Sequence, residues 1–503
     1  MRTLYRASRV HTLSHAETGE WILVDGRHVE RVGAGDPPTA DRIVDLPGAT
    51  ILPGFVDSHV HLTGTGMSVA TPAVAEARSA AELLRAVSEI GVAKSGARLA
   101  HGFDETKWEL QGLPGIEDLD EAAGEPLILV RVDGHAVLAN SAALASSGAL
   151  EMEGVRHDSS GRPSGLATRE AAARLQAWFA EELDDGEIEG YQLQAASLGA
   201  SRGVTSGHEM SVPMIRGIRD LEVLLRHRDR LPMDVITYVA STDIPLVMDM
   251  QVPAIGGDLF LDGSIGAHTA ALSGPYADLD SEGVLYFEDD ELCEFLHNAH
   301  LAGLQVGVHA IGDRAIDQAV RCWGRVYSAL DSRQRRHFRA RRHRIEHCEM
   351  PNEDHLEQLA ILGLAVSVQP AFDAEWGSPG RLYELRLGED RAFAMNPFRS
   401  MLDRGLEVGG GSDTPITNFD PAAGIRALEQ HHNPIQSLSR EEAIRLFTRG
   451  GARLAHLEDK KGHLGPGTHA DFAAYENDPL TEADMSSLRP LLTVSLGREV
   501  HAV

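Results

Sequence analysis

Eight short apolar runs, most of them separated by helix-like stretches, constrain this chain more than any other feature. The runs are "ATILPGFVDSHVH" from 49, "VTSG" near 204, "MDVITYVA" at 233, "LFLDG" at 259, "LQVGVHA" at 304, "HRIEHC" at 343, "LAVSVQP" at 364 and "LEVGGGSD" at 406. Stretches such as "DDELCEFLHNAHLAG" and "NEDHLEQLAILG" separate many of them with helical periodicity. Strand and helix alternating eight times predict an α/β fold, a TIM-like (β/α)8 barrel. Residues 65–200 are too long for one barrel helix and carry their own strand, "PLILVRVDGHAVLAN". They are expected to form an insertion over the barrel mouth. The two ends of the chain read as β-rich: "WILVDGRHVERVGAG" near the start, with a "DG" hairpin signal, and "LLTVSLGREVHAV" at the end. The expected organisation is a small composite β-sandwich from residues 1–57 and 446–503 around a barrel from 58 to 445. No repeat of solenoid period is present.

Catalytic groups of such barrels sit at the carboxyl ends of the strands. There the first run carries His59 and His61, which alternate and so face the same way. The fifth ends in His309, the sixth in His347 and the eighth in Asp413. A lone histidine at a strand end is commonly a hydrogen-bonded structural residue. Four neutral imidazoles and one carboxylate in barrel order are a ligand set for a divalent metal, Zn²⁺ foremost, with Mn²⁺, Fe²⁺ or Co²⁺ as alternatives. Asp313 is expected to cap the helix that starts at Arg314. His135 and His268 are candidates for substrate contact, each with the alternative of a hydrogen-bonded loop histidine. His431 and His432 read as a surface loop.

The motifs "LPGFVDSHVHL", "RVDGHAVLANSAAL", "LDGSIGAHTAAL", "HAIGDRAID", "RIEHCEM", "GSDTP" and "GHLGPGTHADFAAYE" resemble the amidohydrolase superfamily, and most closely its family 3 branch. The resemblance covers almost the whole chain. It implies a divalent metal held by His59, His61, His309, His347 and Asp413. It also implies hydrolysis of an amide or other C–N bond outside peptides, as in N-substituted formamides. Many relatives carry a lysine, sometimes carboxylated, at the start of the fourth strand; Asp258 stands there, and no lysine occurs between 108 and 459. A carboxylated-lysine bridge is therefore ruled out. With one methylene, Asp258 is expected to fall several Å short of the metal, which favours a single ion unless Glu209 or Glu349 bridges a pair. Relatives often have arginine in the place of His268.

A divalent ion lowers the pKa of bound water towards ~7. Asp413 is then the expected proton shuttle, and His347 or His309 a ligand or the group that polarises the carbonyl. Ring deamination on the same scaffold and a binding protein with a decayed site are the alternatives.

The formal charge of −29 speaks against nucleic acid and anionic membranes as partners, and no apolar run approaches a membrane span. A small-molecule substrate is expected, and a homo-oligomer is compatible with the composition. The basic run 333–344 reads as a solvated helix end. Lysines number only four, which GC bias or salt adaptation would explain. The first residues lack a signal peptide's apolar core, and Cys293, Cys322 and Cys348 show no paired framework. Both features predict a cytoplasmic protein. Cys348 is expected to be a buried small hydrophobe.

Overall fold

The computed structural model describes residues 1–14, 18–108 and 112–503. At its centre is an eight-stranded sheet in which every neighbouring pair is parallel. Its strands in chain order are Phe55–Val60, Val204–Ser211, Asp234–Val239, Ala254–Ile255, Gln305–Ala310, Arg344–His347, Ala365–Val368 and Glu407–Gly410. A parallel bridge between Val60 and Thr414 joins the last strand's exit to the first, so the sheet closes as a barrel. Most of these strands are buried along their whole length, as expected of parallel strands covered on both faces. The outer layer is helical. On Asp313–Ala329, for example, Ala315, Ile316, Ala319, Trp323 and Val326 form the inward stripe.

Seven of the eight strands lie where the apolar runs predict. The fourth differs. Ala254–Ile255 takes its place, and of "LFLDG" only Phe260 pairs, through a single bridge to His309. The reason lies in Gly256 and Gly257, whose φ values are +81° and +74°. They turn the chain out of the strand. A Cβ on Gly256 would stand 2.0 Å from the Gly307 carbonyl oxygen, and one on Gly257 2.6 Å from Met210 Sδ. Only glycine fits this crossing, and it swings Asp258 towards the barrel axis.

Residues 98–168 build a five-stranded sheet of their own, in the order Arg98–Phe103, Leu127–Arg131, Ala136–Ala139, Pro163–Thr168, Val155–His157. The turn between its second and third strands carries His135 to the barrel mouth. Both chain ends meet in a seven-stranded sheet, ordered Arg498–Ala502, Pro490–Ser495, Phe472–Tyr475, Arg42–Pro53, Arg2–Val10, Gly19–Asp25, His28–Gly33. It curls so that Tyr5, Ile22 and Val24 share a core with Phe472, Ala474 and Val494. The expected "DG" turn joins Gly19–Asp25 to His28–Gly33, with Gly26 at φ +58°.

Three expectations are corrected. Cys293 and Cys322 are bonded to each other. They sit on the adjacent helices Asp289–Leu301 and Asp313–Ala329, a proximity that sequence spacing cannot express, and the cysteine argument for a reducing compartment falls away. Cys348 is free and buried, as expected. Asp313 does not cap its helix through its side chain; it accepts from the backbone N–H of Ser273 at 2.9 Å and from the Ser273 hydroxyl. His431 and His432 are not a surface loop: both imidazoles turn inward onto the Asp373 carboxylate. No helix among the described residues is long and apolar enough to cross a membrane.

Candidate active site

The first strand delivers His59 and His61 to the barrel mouth on one face. His61 Nδ1 lies 2.9 Å from the Met210 carbonyl oxygen. A carbonyl only accepts, so Nδ1 carries a proton and Nε2 is left facing the axis. His59 is oriented the same way, with Nδ1 3.1 Å from Glu346 Oε2. Glu346 in turn accepts from Arg344 Nη2 at 2.8 Å, and Arg344 also donates to the Ser58 carbonyl and contacts His208 Nδ1. Arg344 and Glu346 are fully buried inside the barrel. This charged pair holds the His59 ring from behind.

Asp413 follows the eighth strand. Its backbone N–H donates to the His59 carbonyl at 2.8 Å, and the His61 N–H donates to Thr414 at 3.0 Å. Asp413 Oδ1 lies 3.1 Å from His61 Nε2 and 3.4 Å from His59 Nε2. Asp413 and His347 both adopt left-handed backbone, φ +54° and +69°, which non-glycine residues seldom do and which clusters at functional sites. A Cβ on Gly411 would stand 2.8 Å from the His59 amide nitrogen, so the two strands meet only because that side chain is absent.

Asp258 is the residue whose place is most at odds with expectation. Its Oδ1 lies 3.0 Å from His309 Nδ1, 3.5 Å from His347 Nε2 and 3.9 Å from His59 Nε2. Its Oδ2 lies 3.5 Å from His61 Nε2. The short side chain does not fall short, because the Gly256–Gly257 turn moves the backbone instead. At the strand ends two trios present ligand atoms within 4.8 Å of one another: His59, His61 and Asp413; and His59, Asp258 and His347. His309 joins them through Asp258.

Electrostatics agree with a site for positive charge. Burial opposes an imidazolium, yet Asp413, Asp258 and Glu209 outweigh it and push His61 up to about 9. Burial likewise opposes charge on His309, while Asp258 and Asp262 push it to about 9. Burial would raise the carboxyl of Asp258, but His309, His347 and His59 hold it well below the usual range. Glu209 and Glu349 are different: burial pushes each up to about 7. Glu209 accepts from the Leu62 N–H at 2.8 Å and Glu349 from the Tyr383 hydroxyl at 2.6 Å. Neither joins the ligand trios.

His135 lines the cavity over these groups, its ring 5.5 Å from that of His309. Burial and the His309 charge push it down to about 4, so it is a neutral imidazole. His268 pairs with Asp278 at 3.0 Å and does not line the cavity. The cavity adjoins a more apolar chamber of about 310 Å³, walled in part by Ala172, Ala173, Val212, Ile215 and Phe260. Sequence reasoning missed Glu346, Arg344 and Arg216, the last of which lines the same cavity. The signal for the first two was present: Arg344 and Glu346 alternate within one short strand, so both face one side.

A family model of the amidohydrolases matches residues 42–501. The chain is 26% identical to the protein YtcJ of Bacillus subtilis over 545 aligned positions, covering 100% of this chain and 99% of the relative. It is 23% identical to the N-substituted formamide deformylase of Arthrobacter pascens, over 92% of this chain and 90% of the relative. Among solved structures, an uncharacterized metal-dependent hydrolase from Pyrococcus furiosus superposes with a TM-score of 0.74 at 26% identity, over 96% of this chain and 100% of that one. By this match along nearly its whole length, the chain belongs to the amidohydrolase family.

Proposed function

We propose that the protein is a metal-dependent hydrolase that cleaves the C–N bond of a small amide, such as an N-substituted formamide. The observation that carries this reading is a set of stranded atoms. His59 Nε2 and His347 Nδ1 are buried without a hydrogen-bond partner, and they converge with the Asp413 carboxylate at the strand ends. Buried polar atoms are normally paired, so this set fits a cation. His59, His61 and Asp413 would hold it, with Asp258 and His347 beside them. A bound divalent ion supplies a Lewis acid and an acidified water.

Two carboxylates, Asp258 and Asp413, balance one dication in charge, which favours a single ion; zinc suits the imidazole and carboxylate donors. Asp413 takes a proton from the attacking water and returns it to the leaving nitrogen. The water's oxygen bonds to the carbonyl carbon, the C–N bond breaks, and a carboxylic acid and an amine leave. Such proton transfer typically contributes ~10²–10⁴-fold. His135, neutral and above the centre, hydrogen-bonds the substrate. His309, held by Asp258, orients that carboxylate.

The test is a panel of amides, formamides and cyclic ureas given to metal-loaded protein. Release of an organic amine, with kcat lowered more than about tenfold in Asp413→Asn and KM little changed, is the expected result. Ammonia from a ring substrate would replace this reading with deamination. No turnover by fully loaded protein would point to a binding protein.

A further inference from the structure

Arg216 forms no ion pair with any described carboxylate, although it lines the cavity that holds His61, Asp258 and Asp413. Its Nη2 meets His101 Nε2 at 3.0 Å, and its Nη1 is buried with no hydrogen-bond partner. His101 is buried beside two positive groups and stays neutral, so it accepts the bond without cancelling the charge. The nearby carboxylates are spent elsewhere. Asp220, four residues on, accepts from the Thr63 hydroxyl at 2.6 Å and from Gln192. Glu209 accepts from the Leu62 N–H.

The backbone is shaped to present this side chain. Within Pro213–His227 the helix breaks at Gly217, the residue after Arg216, with φ +74° and ψ +159°. That region is essentially restricted to glycine. The guanidinium comes to lie against the first turn after His61: a Cβ on Gly64 would be 3.4 Å from Arg216 Nη2. A buried guanidinium that Asp220 and Glu209 attract only from a distance, with one nitrogen unpaired, is costly, and it leaves a place for an anion arriving from outside. Its planar fork matches a carboxylate with two parallel hydrogen bonds.

We infer that Arg216 binds a carboxylate carried by the substrate, which makes the substrate an acidic amide such as an N-acyl amino acid. The inference rests on the hydrolase reading of the same cavity and names its substrate class. The carboxylate docks at Arg216, the scissile amide lies over His61 and Asp413, and an apolar side chain enters the chamber walled by Ala172, Val212 and Phe260. With a chain charge of −29 repelling anions at long range, the discrimination must be local.

The probes are the ketone 2-benzyl-4-oxopentanoic acid, in which a methylene replaces the amide N–H of N-acetylphenylalanine and leaves no scissile C–N bond, and its neutral primary amide, titrated calorimetrically into the metal-loaded protein. Wild type should bind the acid at least about tenfold more tightly than the amide, in keeping with a charge-assisted pair. Arg216→Gln should erase that preference by weakening the acid alone, and Arg216→Lys should keep part of it. Thermal melts confirm that each variant is folded. Should Arg216→Gln not fold, the wild-type preference and the Arg216→Lys result decide. A wild type without preference for the acid overturns the inference, as does a preference that survives in Arg216→Gln. Binding is read without turnover, so the two proposals fail separately. Acid preference without hydrolysis of any amide removes the hydrolase reading and keeps the anchor; hydrolysis of neutral amides without acid preference does the reverse.

Discussion

The Asp258 carboxylate stands 3.0 Å from His309 Nδ1, on a loop that two glycines have turned into the barrel. It touches histidines from the fifth and sixth strands and, through its other oxygen, His61 next to the first. Removing its charge should therefore loosen the whole centre. Asp258→Asn keeps the shape and should weaken metal retention by at least about tenfold, the scale seen when partners of metal ligands are changed. Competition with a graded chelator measures this. Retention equal to wild type would mean that Asp258 serves only to orient His309.

His59→Ala combined with His61→Ala should abolish bound metal and leave the barrel folded. Both rings hang from the end of one strand whose core neighbours, Phe55 and Val60, are untouched. Elemental analysis and circular dichroism report the two halves of the expectation. Full metal content in the double variant contradicts the ligand assignment.

Glu346 should matter for stability as well as for metal. It is the counter-charge of Arg344, and both are fully buried. Glu346→Gln leaves that guanidinium unpaired, at a cost of about 3–5 kcal/mol for breaking a buried pair from one side. The same change loosens the His59 ring. Chemical denaturation of metal-free protein should show the first effect, and metal affinity the second. Adding Arg344→Met to Glu346→Gln should recover part of the lost stability, because the uncompensated charge is then gone. A stability within about 1 kcal/mol of wild type in the single variant would sink this account.

The barrel was legible because its apolar runs and helix periods are local properties. Histidines at strand ends were legible for the same reason: His59, His61, His309 and His347 need only a strand assignment to be placed. Asp258 was not, because its reach depends on a backbone turn at Gly256–Gly257 whose direction is set by packing on Gly307 and Tyr238. Arg216 was hidden differently. It lies in a helical stretch that looks like an ordinary amphipathic surface, and only the break at Gly217 turns it to the cavity. The Cys293–Cys322 bond and the Asp373 contact with His431 and His432 are tertiary meetings between separate segments, to which no spacing rule applies.

The pH dependence of metal binding should expose the protons that now stand in for the ion. His61 and His309 are each pushed to about 9 by the carboxylates around them, against the burial that opposes their charge. Metal-free protein at neutral pH therefore carries protons on both rings, and an ion must displace up to two of them. Apparent metal affinity should rise with pH from about 7 to about 9, by as much as a hundredfold per pH unit if both protons leave, and level off above. Stability of the metal-free protein should run the other way. A histidine whose folded pKa exceeds its unfolded value of ~6.5 stabilises fully below that value. The contribution disappears as pH rises through about 9, so the metal-free protein should weaken across that window while the metal-loaded protein does not. His61→Ala should remove one proton from the count. Isothermal titration in buffers of different ionisation enthalpy counts the protons released at pH 7.5. A count of zero, with metal affinity flat between pH 7 and 9, would show that the carboxylates do not hold these imidazoles charged and that the centre is built for a neutral ligand set.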